Sequence, residues 1–242
     1  MWFYNMARHF NGGFMKIKNA KDMDSSSIKL SATVYGKAGT GKTTLGATFP
    51  KPFFLDLNKG LLSIRGRNVD YVELYDSTWV EIQDTLDEAI KSPDHESIVV
   101  DSMGEVAEIC MKHICQLNRR QKPEFADWDA FYQSMKSFIM KVRNSGKHSL
   151  CICHEDIQKE EATGRIFIKP AFQGQLKNKY TAFFDEVYHS EVETLPGKPP
   201  IYKLLSRSSG IYEAKSRLLS STTMESYLTP HFNDLIKMAG VK

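Results

Sequence analysis

The chain has 242 residues, 41% of them hydrophobic and 25% charged, with a formal net charge of +3. That length suits one large α/β domain better than two small ones, and the balance is that of an ordinary globular protein. No run of about 18 apolar residues occurs, so no membrane span is expected, and so small a net charge does not by itself imply nucleic acid.

Residues 1–14 are aromatic-rich and aperiodic and end in Asn11-Gly12-Gly13. They read as a flexible N-terminal arm, with residues 15–242 as a single domain. A second reading makes the arm an aromatic tether for a neighbouring subunit. The opening lacks the basic-then-apolar order of a secretory signal, which predicts a cytoplasmic location.

Residues 28–34 alternate as a strand, and Gly36-Lys37-Ala38-Gly39-Thr40-Gly41-Lys42-Thr43 follows. It fits the phosphate-loop pattern G-x-x-x-x-G-K-[ST] at every required position, and residues 44–48 can continue as a helix. Strand, glycine loop and helix together predict a nucleoside-triphosphate site running from Gly36 through Lys37, Ala38, Gly39, Thr40 and Gly41 to Lys42, Thr43 and Thr44. The glycines let backbone N–H groups face phosphate oxygens. Lys42 supplies a cation for the β- and γ-phosphates, and Thr43 a hydroxyl for Mg²⁺. ATP and Mg²⁺ are the expected cofactors.

Further along, residues 52–56 and 72–74 read as short strands. Residues 78–90 have helical spacing, with Val80, Ile82, Leu86 and Ile90 assigned to one face. Residues 97–101 form a continuous apolar strand ending in Asp101. An acid at the carboxyl edge of a sheet can orient Mg²⁺ or its water; the other reading is a cap for the next helix. Helical patterns cover 103–117 and 126–144, and 149–153 is another buried strand. Strands alternating with helices predict a parallel sheet with helices on both faces.

The four cysteines, Cys110, Cys115, Cys151 and Cys153, read as buried reduced thiols. A zinc site on Cys110, His113 and Cys115 lacks a second pair at finger spacing. After residue 155 come β-like pieces at 165–168, 184–188 and 201–205, which predict antiparallel strands extending the sheet. Pro230 reads as the first residue of a closing helix capped by Thr229.

These residues carry a resemblance. Ser97-Ile98-Val99-Val100-Asp101-Ser102-Met103 resembles the Walker B segment of RecA-type ATPases, and residues 53–61 resemble the strand after their first helix. Residues 150–154 are similar to the strand that ends at their γ-phosphate sensor. Residues 174–180 with 184–187 look like the exit from their second DNA-binding loop. The match spans about residues 28–217, and the compact length is most similar to phage RecA-like ATPases of the Sak single-strand-annealing type.

The resemblance implies an α/β, RecA-like P-loop NTPase core. It implies a homo-oligomer, ring or filament, with nucleotide at the subunit seam and single-stranded DNA as partner; a single-strand-binding protein is a further candidate. His154 falls at the sensor position, a loop histidine being the bland alternative. Asn58 stands where the family places a glutamate that activates water; Asn holds a water but takes no proton, so Glu155 is the substitute acid considered. Lys215 and Arg217 resemble the basic finger inserted into a neighbour's site; otherwise they are a solvated turn.

Two segments concentrate positive charge. Arg119, Arg120 and Lys122 occupy the place of the first DNA loop. Residues 158–180 interleave Lys159, Arg165, Lys169, Lys177 and Lys179 with Phe167, Phe172 and Tyr180, a composition suited to single strands, although Asp156, Glu160 and Glu161 dilute it. The function expected is ATP-dependent recombination by annealing or strand exchange. The alternatives are a RecA-like helicase or translocase, a small-molecule phosphotransferase, and a nucleotide-gated binding module without turnover.

Overall fold

A computed structural model of the chain describes residue 19, residues 28–218 and residues 226–238; the predicted arm at 1–14 lies outside the described residues. Strand β1 (Ser31–Tyr35) is buried at all five positions and leads through the glycine loop into the short helix α1 (Lys42–Gly46). There follow β2 (Pro52–Asp56), β3 (Asp70–Glu73), α2 (Trp79–Lys91), β4 (Ser97–Asp101), α3 (Met103–Leu117), α4 (Phe125–Arg143) and β5 (His148–Cys153). The later half holds β6 (Glu155–Lys159), β7 (Ile166–Pro170), α5 (Leu176–Lys179), β8 (Glu186–Glu193), β9 (Ile201–Leu205), β10 (Lys215–Ser216), β11 (Tyr227–Leu228) and α6 (Phe232–Met238).

The main sheet runs β11-β9-β8-β1-β5-β4-β2-β3, with β10 also paired to β8. From β8 to β3 every pairing is parallel; β9, β10 and β11 join antiparallel, as the sequence led one to expect. Because side chains alternate along a strand, each central strand feeds two apolar layers. Ile98, Val100, Cys151 and Cys153 face α2, α3 and α4, among Leu86, Val106 and Phe138. Val99, Leu150 and Ile152 face the other way, onto Leu45, Phe49, Phe232 and Leu235 of α1 and α6 and their flanks. Each such buried side chain contributes about 1.5–3 kcal/mol.

Several expectations need correcting. Helix α2 buries Trp79, Ile82, Leu86 and Ala89, while Val80 is 52% exposed. Two residues apart on a helix are about 200° apart, so Val80 and Ile82 cannot share a face. The closing helix begins at Phe232 rather than Pro230, and Thr229 does not cap it: the Phe232 N–H donates to Thr48 Oγ1 (2.9 Å) and the Asn233 N–H to His231 Nδ1 (3.2 Å). Strand β6 was not foreseen; with β7 it forms a separate antiparallel hairpin.

All four cysteines are buried thiols. Among the described residues no three His, Cys, Asp or Glu side chains converge to hold a metal, so the Cys110, His113 and Cys115 arrangement does not form. Among the same residues no helix is long and apolar enough to cross a membrane.

Candidate functional site

The loop between β1 and α1 is held from below by β8. Ser190 Oγ donates to the Thr40 carbonyl (2.7 Å), and a Cβ at position 36 would sit 2.4 Å from the Ser190 carbonyl oxygen, so only glycine fits there. Gly41 has φ 85°, a left-handed conformation that other residues adopt at a cost. Lys42, 8% exposed, donates from Nζ to the carbonyls of Gly36 (2.8 Å) and Lys37 (2.6 Å). Burial lowers its pKa, and the Asp101 carboxylate works against that shift.

Asp101 ends β4 two strands from β1, with β5 between them. Thr43 Oγ1 donates to its Oδ2 at 2.7 Å. Burial raises the Asp101 pKa, the Thr43 bond lowers it, and the neighbouring Asp56 raises it again. Asp101 does not cap α3, whose N-cap residue is Ser102. Asp56 is the register partner of Asp101 on β2, and its Oδ1 accepts the backbone N–H groups of Asn58 and Gly60, both at 3.3 Å.

These groups line a cavity of about 570 Å³ that runs from Ala38, Gly39, Gly41, Lys42, Thr43 and Thr44 past Asn58, Gly60, Asp101 and His154 to Tyr202 and Pro230. A Cβ on Gly60 would lie 2.7 Å from Asn58 Oδ1 and 3.6 Å from Asp101 Oδ2, so glycine leaves those two oxygens room beside each other. The Thr43 hydroxyl and the buried Asp101 carboxylate are hard oxygen donors within hydrogen-bond reach. They fit Mg²⁺, which takes one or two protein oxygens and completes its shell from phosphates and water.

A family model for the AAA domain matches residues 28–218. The chain therefore belongs to the AAA-domain family, and with this loop it is a nucleotide-binding P-loop ATPase of that class. No curated protein matches it.

The structure brings Lys42, Thr43, Asn58, Asp101 and His154 onto one cavity. It does not bring Glu155 there: its Oε2 lies 3.0 Å from His189 Nε2, with both side chains under 10% exposed. Lys215 and Arg217 lie at the opposite edge of the sheet. β10 pairs with the start of β8, whereas the phosphate loop meets its later part. Arg217 donates to Asp185 Oδ1 (2.6 Å), which Arg143 also holds (3.0 Å).

The DNA-loop residues divide. Arg119, Lys122, Arg165, Lys177 and Lys179 are exposed. Arg120 is tied to both oxygens of Asp127 at 2.8 Å and to Glu124 at 3.1 Å. Lys169 lies 3.6 Å from Glu213 and beside the half-buried Phe167 ring. Phe172 and Tyr180 are core residues, 7% and 2% exposed, with ring centroids 4.2 Å apart, and the Tyr180 hydroxyl meets Thr33 Oγ1 at 3.1 Å. Neither is placed to stack on a base, a correction to the sequence reading; their apolar bulk fills the space under α5.

Sequence reasoning missed Asp56, Ser190, Tyr202 and Pro230. An apolar strand ending in acid marks Asp56 as clearly as Asp101; Ser190 and Tyr202 reach the loop, and Pro230 the cavity wall, only through tertiary contacts.

Proposed function

We propose that this ATPase uses ATP to control a grip on single-stranded DNA, as an oligomeric RecA-like recombination protein acting in annealing or strand exchange. The observation that carries the reading is the place of His154. It is the single residue between β5, the strand beside both nucleotide strands, and β6 of the hairpin. It lines the nucleotide cavity and also a second cavity of about 620 Å³ walled by Trp128, Phe131 and Phe172. A terminal phosphate felt by His154 biases the hairpin that carries Lys159 and Arg165.

In hydrolysis a water oxygen bonds to the γ-phosphorus as the bond to the bridging oxygen breaks, giving ADP and phosphate, and the proton the water sheds passes to a phosphate oxygen. Asn58, at the cavity wall, can orient that water but takes no proton, so turnover is slow. Lys42 exchanges its loop carbonyls for phosphate oxygens, and Thr43 with Asp101 would hold Mg²⁺, which supplies charge neutralisation when bound. Arg217, far from its own chain's cavity, reaches a triphosphate only in a neighbouring copy, which is the reason for proposing an oligomer. Asn58 also favours a second reading, a nucleotide-gated binding module without turnover.

The test is fluorescence anisotropy of a labelled single-stranded oligonucleotide with and without a non-hydrolysable ATP analogue and Mg²⁺. The analogue should tighten binding in the native protein and leave His154→Ala unresponsive. Affinity indifferent to nucleotide in the native protein would refute the reading.

A further inference from the structure

Strands β1 and β8 run side by side, and their register sets Tyr35 opposite His189. Each is followed by a residue that shapes the phosphate loop: Gly36 opens it, and Ser190 holds the Thr40 carbonyl. Those two followers touch closely, since a Cβ on Gly36 would lie 2.4 Å from the Ser190 carbonyl oxygen. Tyr35 and His189 are themselves buried, and their rings meet with centroids 5.1 Å apart at 55°.

The same two side chains carry the β6–β7 hairpin, one strand each. His189 Nε2 meets Glu155 Oε2, at the start of β6, at 3.0 Å. Its Nδ1 is buried without a hydrogen-bond partner among the described residues, so Glu155 is the polar tie of that ring. The Tyr35 hydroxyl donates to the carbonyls of Ile168 in β7 (3.0 Å) and of Glu213 (2.8 Å). Residues 211–213 complete the joint. The Ile168 N–H donates to the Ile211 carbonyl (2.8 Å), the Glu213 N–H to the Ile168 carbonyl (3.3 Å), and the Tyr212 ring stacks on His189 with centroids 3.9 Å apart.

We infer that Tyr35 and His189 link the floor of the phosphate loop to the hairpin, so that occupancy of the loop sets the hairpin's state by a route separate from His154. The inference deepens the proposed function and rests on its reading of the hairpin as the element that nucleotide governs. Lys42 Nζ donates to the Gly36 carbonyl at 2.8 Å, and a β-phosphate seated in the loop competes for that ammonium. Loop N–H groups drawn onto phosphate stiffen the backbone at Gly36. Packed interiors pass such a change on, here through the Gly36–Ser190 contact to the residues just before each. Tyr35 and His189 do not line the nucleotide cavity; they are positioning residues. The two routes answer to different ligands. His154 needs a terminal phosphate, whereas the Tyr35–His189 link needs only phosphate on the loop, so ADP suffices for it.

Hydrogen exchange of residues 155–170, read by mass spectrometry on the full chain with and without saturating MgADP, tests the link. MgADP should slow exchange across the hairpin of the native protein by about 5-fold or more, the low end of ordinary coupling between two sites. The response should survive in His154→Ala and in Glu155→Gln, which keeps an acceptor for His189. It should be lost in Glu155→Ala and weakened in β7 by Tyr35→Phe, while calorimetry shows each variant still binding MgADP. A merely structural Glu155 would speed exchange equally with and without nucleotide in Glu155→Ala and leave the ratio untouched, which overturns the link. Loss of the response in His154→Ala overturns the separate route. A native hairpin indifferent to bound MgADP overturns the link and leaves the His154 reading standing. A hairpin that answers MgADP while DNA affinity ignores the ATP analogue sinks the proposed function and keeps the link.

Discussion

Oγ1 of Thr43 and Oδ2 of Asp101 lie 2.7 Å apart, joining the first turn of α1 to the tip of β4 across an intervening strand. The carboxylate accepting that bond is 2% exposed and has the equally buried Asp56 beside it. Its pKa is raised, chiefly by burial. An acid whose folded pKa lies above its unfolded value binds protons more readily in the native state. Stability from this group is therefore lost as pH rises through that window. Asp101→Asn should raise the melting temperature near neutral pH, with the gain vanishing below about pH 4, where the unfolded acid is also protonated. The same variant should weaken Mg²⁺-dependent ATP binding. Thermal melts across a pH series, with ATP titrations alongside, check both halves.

A second titration concerns the base of the sheet. His148 Nδ1 accepts the Leu30 N–H at 3.0 Å, and burial, with Lys29 nearby, pushes its pKa down to about 4. Here the sign runs the other way. The contribution is present above the ordinary histidine value of 6.5 and is lost as pH falls towards about 4. His148→Asn, which keeps an acceptor and removes the titration, should flatten the loss of stability over that interval in urea unfolding at several pH values.

Asn58 sets the rate of hydrolysis if it marks where water is held. Asn58→Glu places a proton acceptor beside Gly60 and Asp101 and should raise steady-state phosphate release, by about 10²-fold if the base is well aligned. Glu155→Gln should leave release unchanged, since Glu155 is engaged with His189.

The two kinds of residue in the expected DNA segment should separate cleanly. Arg165→Ala combined with Lys177→Ala should reduce the slope of log affinity against log salt by about 2 for single-stranded DNA, with stability unaltered. Phe172→Ala should instead cost about 3–5 kcal/mol of folding stability, because its ring is in the core. Salt-series anisotropy and chemical denaturation read the two outcomes.

What the chain's order revealed and concealed follows from how far each contact reaches. The glycine loop, Lys42 and Thr43 were legible because their geometry is local, and Asp101 and His154 because an apolar strand announces the edge at which its last side chain stands. The parallel core was legible from strands alternating with helices. Tyr180 could be read as an exposed aromatic among lysines, since nothing nearby in sequence says that its hydroxyl meets Thr33 on β1. Glu155 looked available until the fold brought His189 to it. Tyr202 and Pro230 arrive at the cavity through β9 and the turn before α6, and no spacing within those segments points there. Val80 is apolar yet stands about 200° round α2 from Ile82, on the exposed face, so apolar character alone does not mark the buried side.

The most direct measurement is calorimetric titration of Mg²⁺-ATP into the native protein and into Lys42→Ala. A triphosphate seated over residues 36–44 predicts saturable binding by the native chain and a loss of roughly 10- to 100-fold in the variant, the worth of a charged hydrogen-bonding partner. Equal affinity in the two proteins would contradict it.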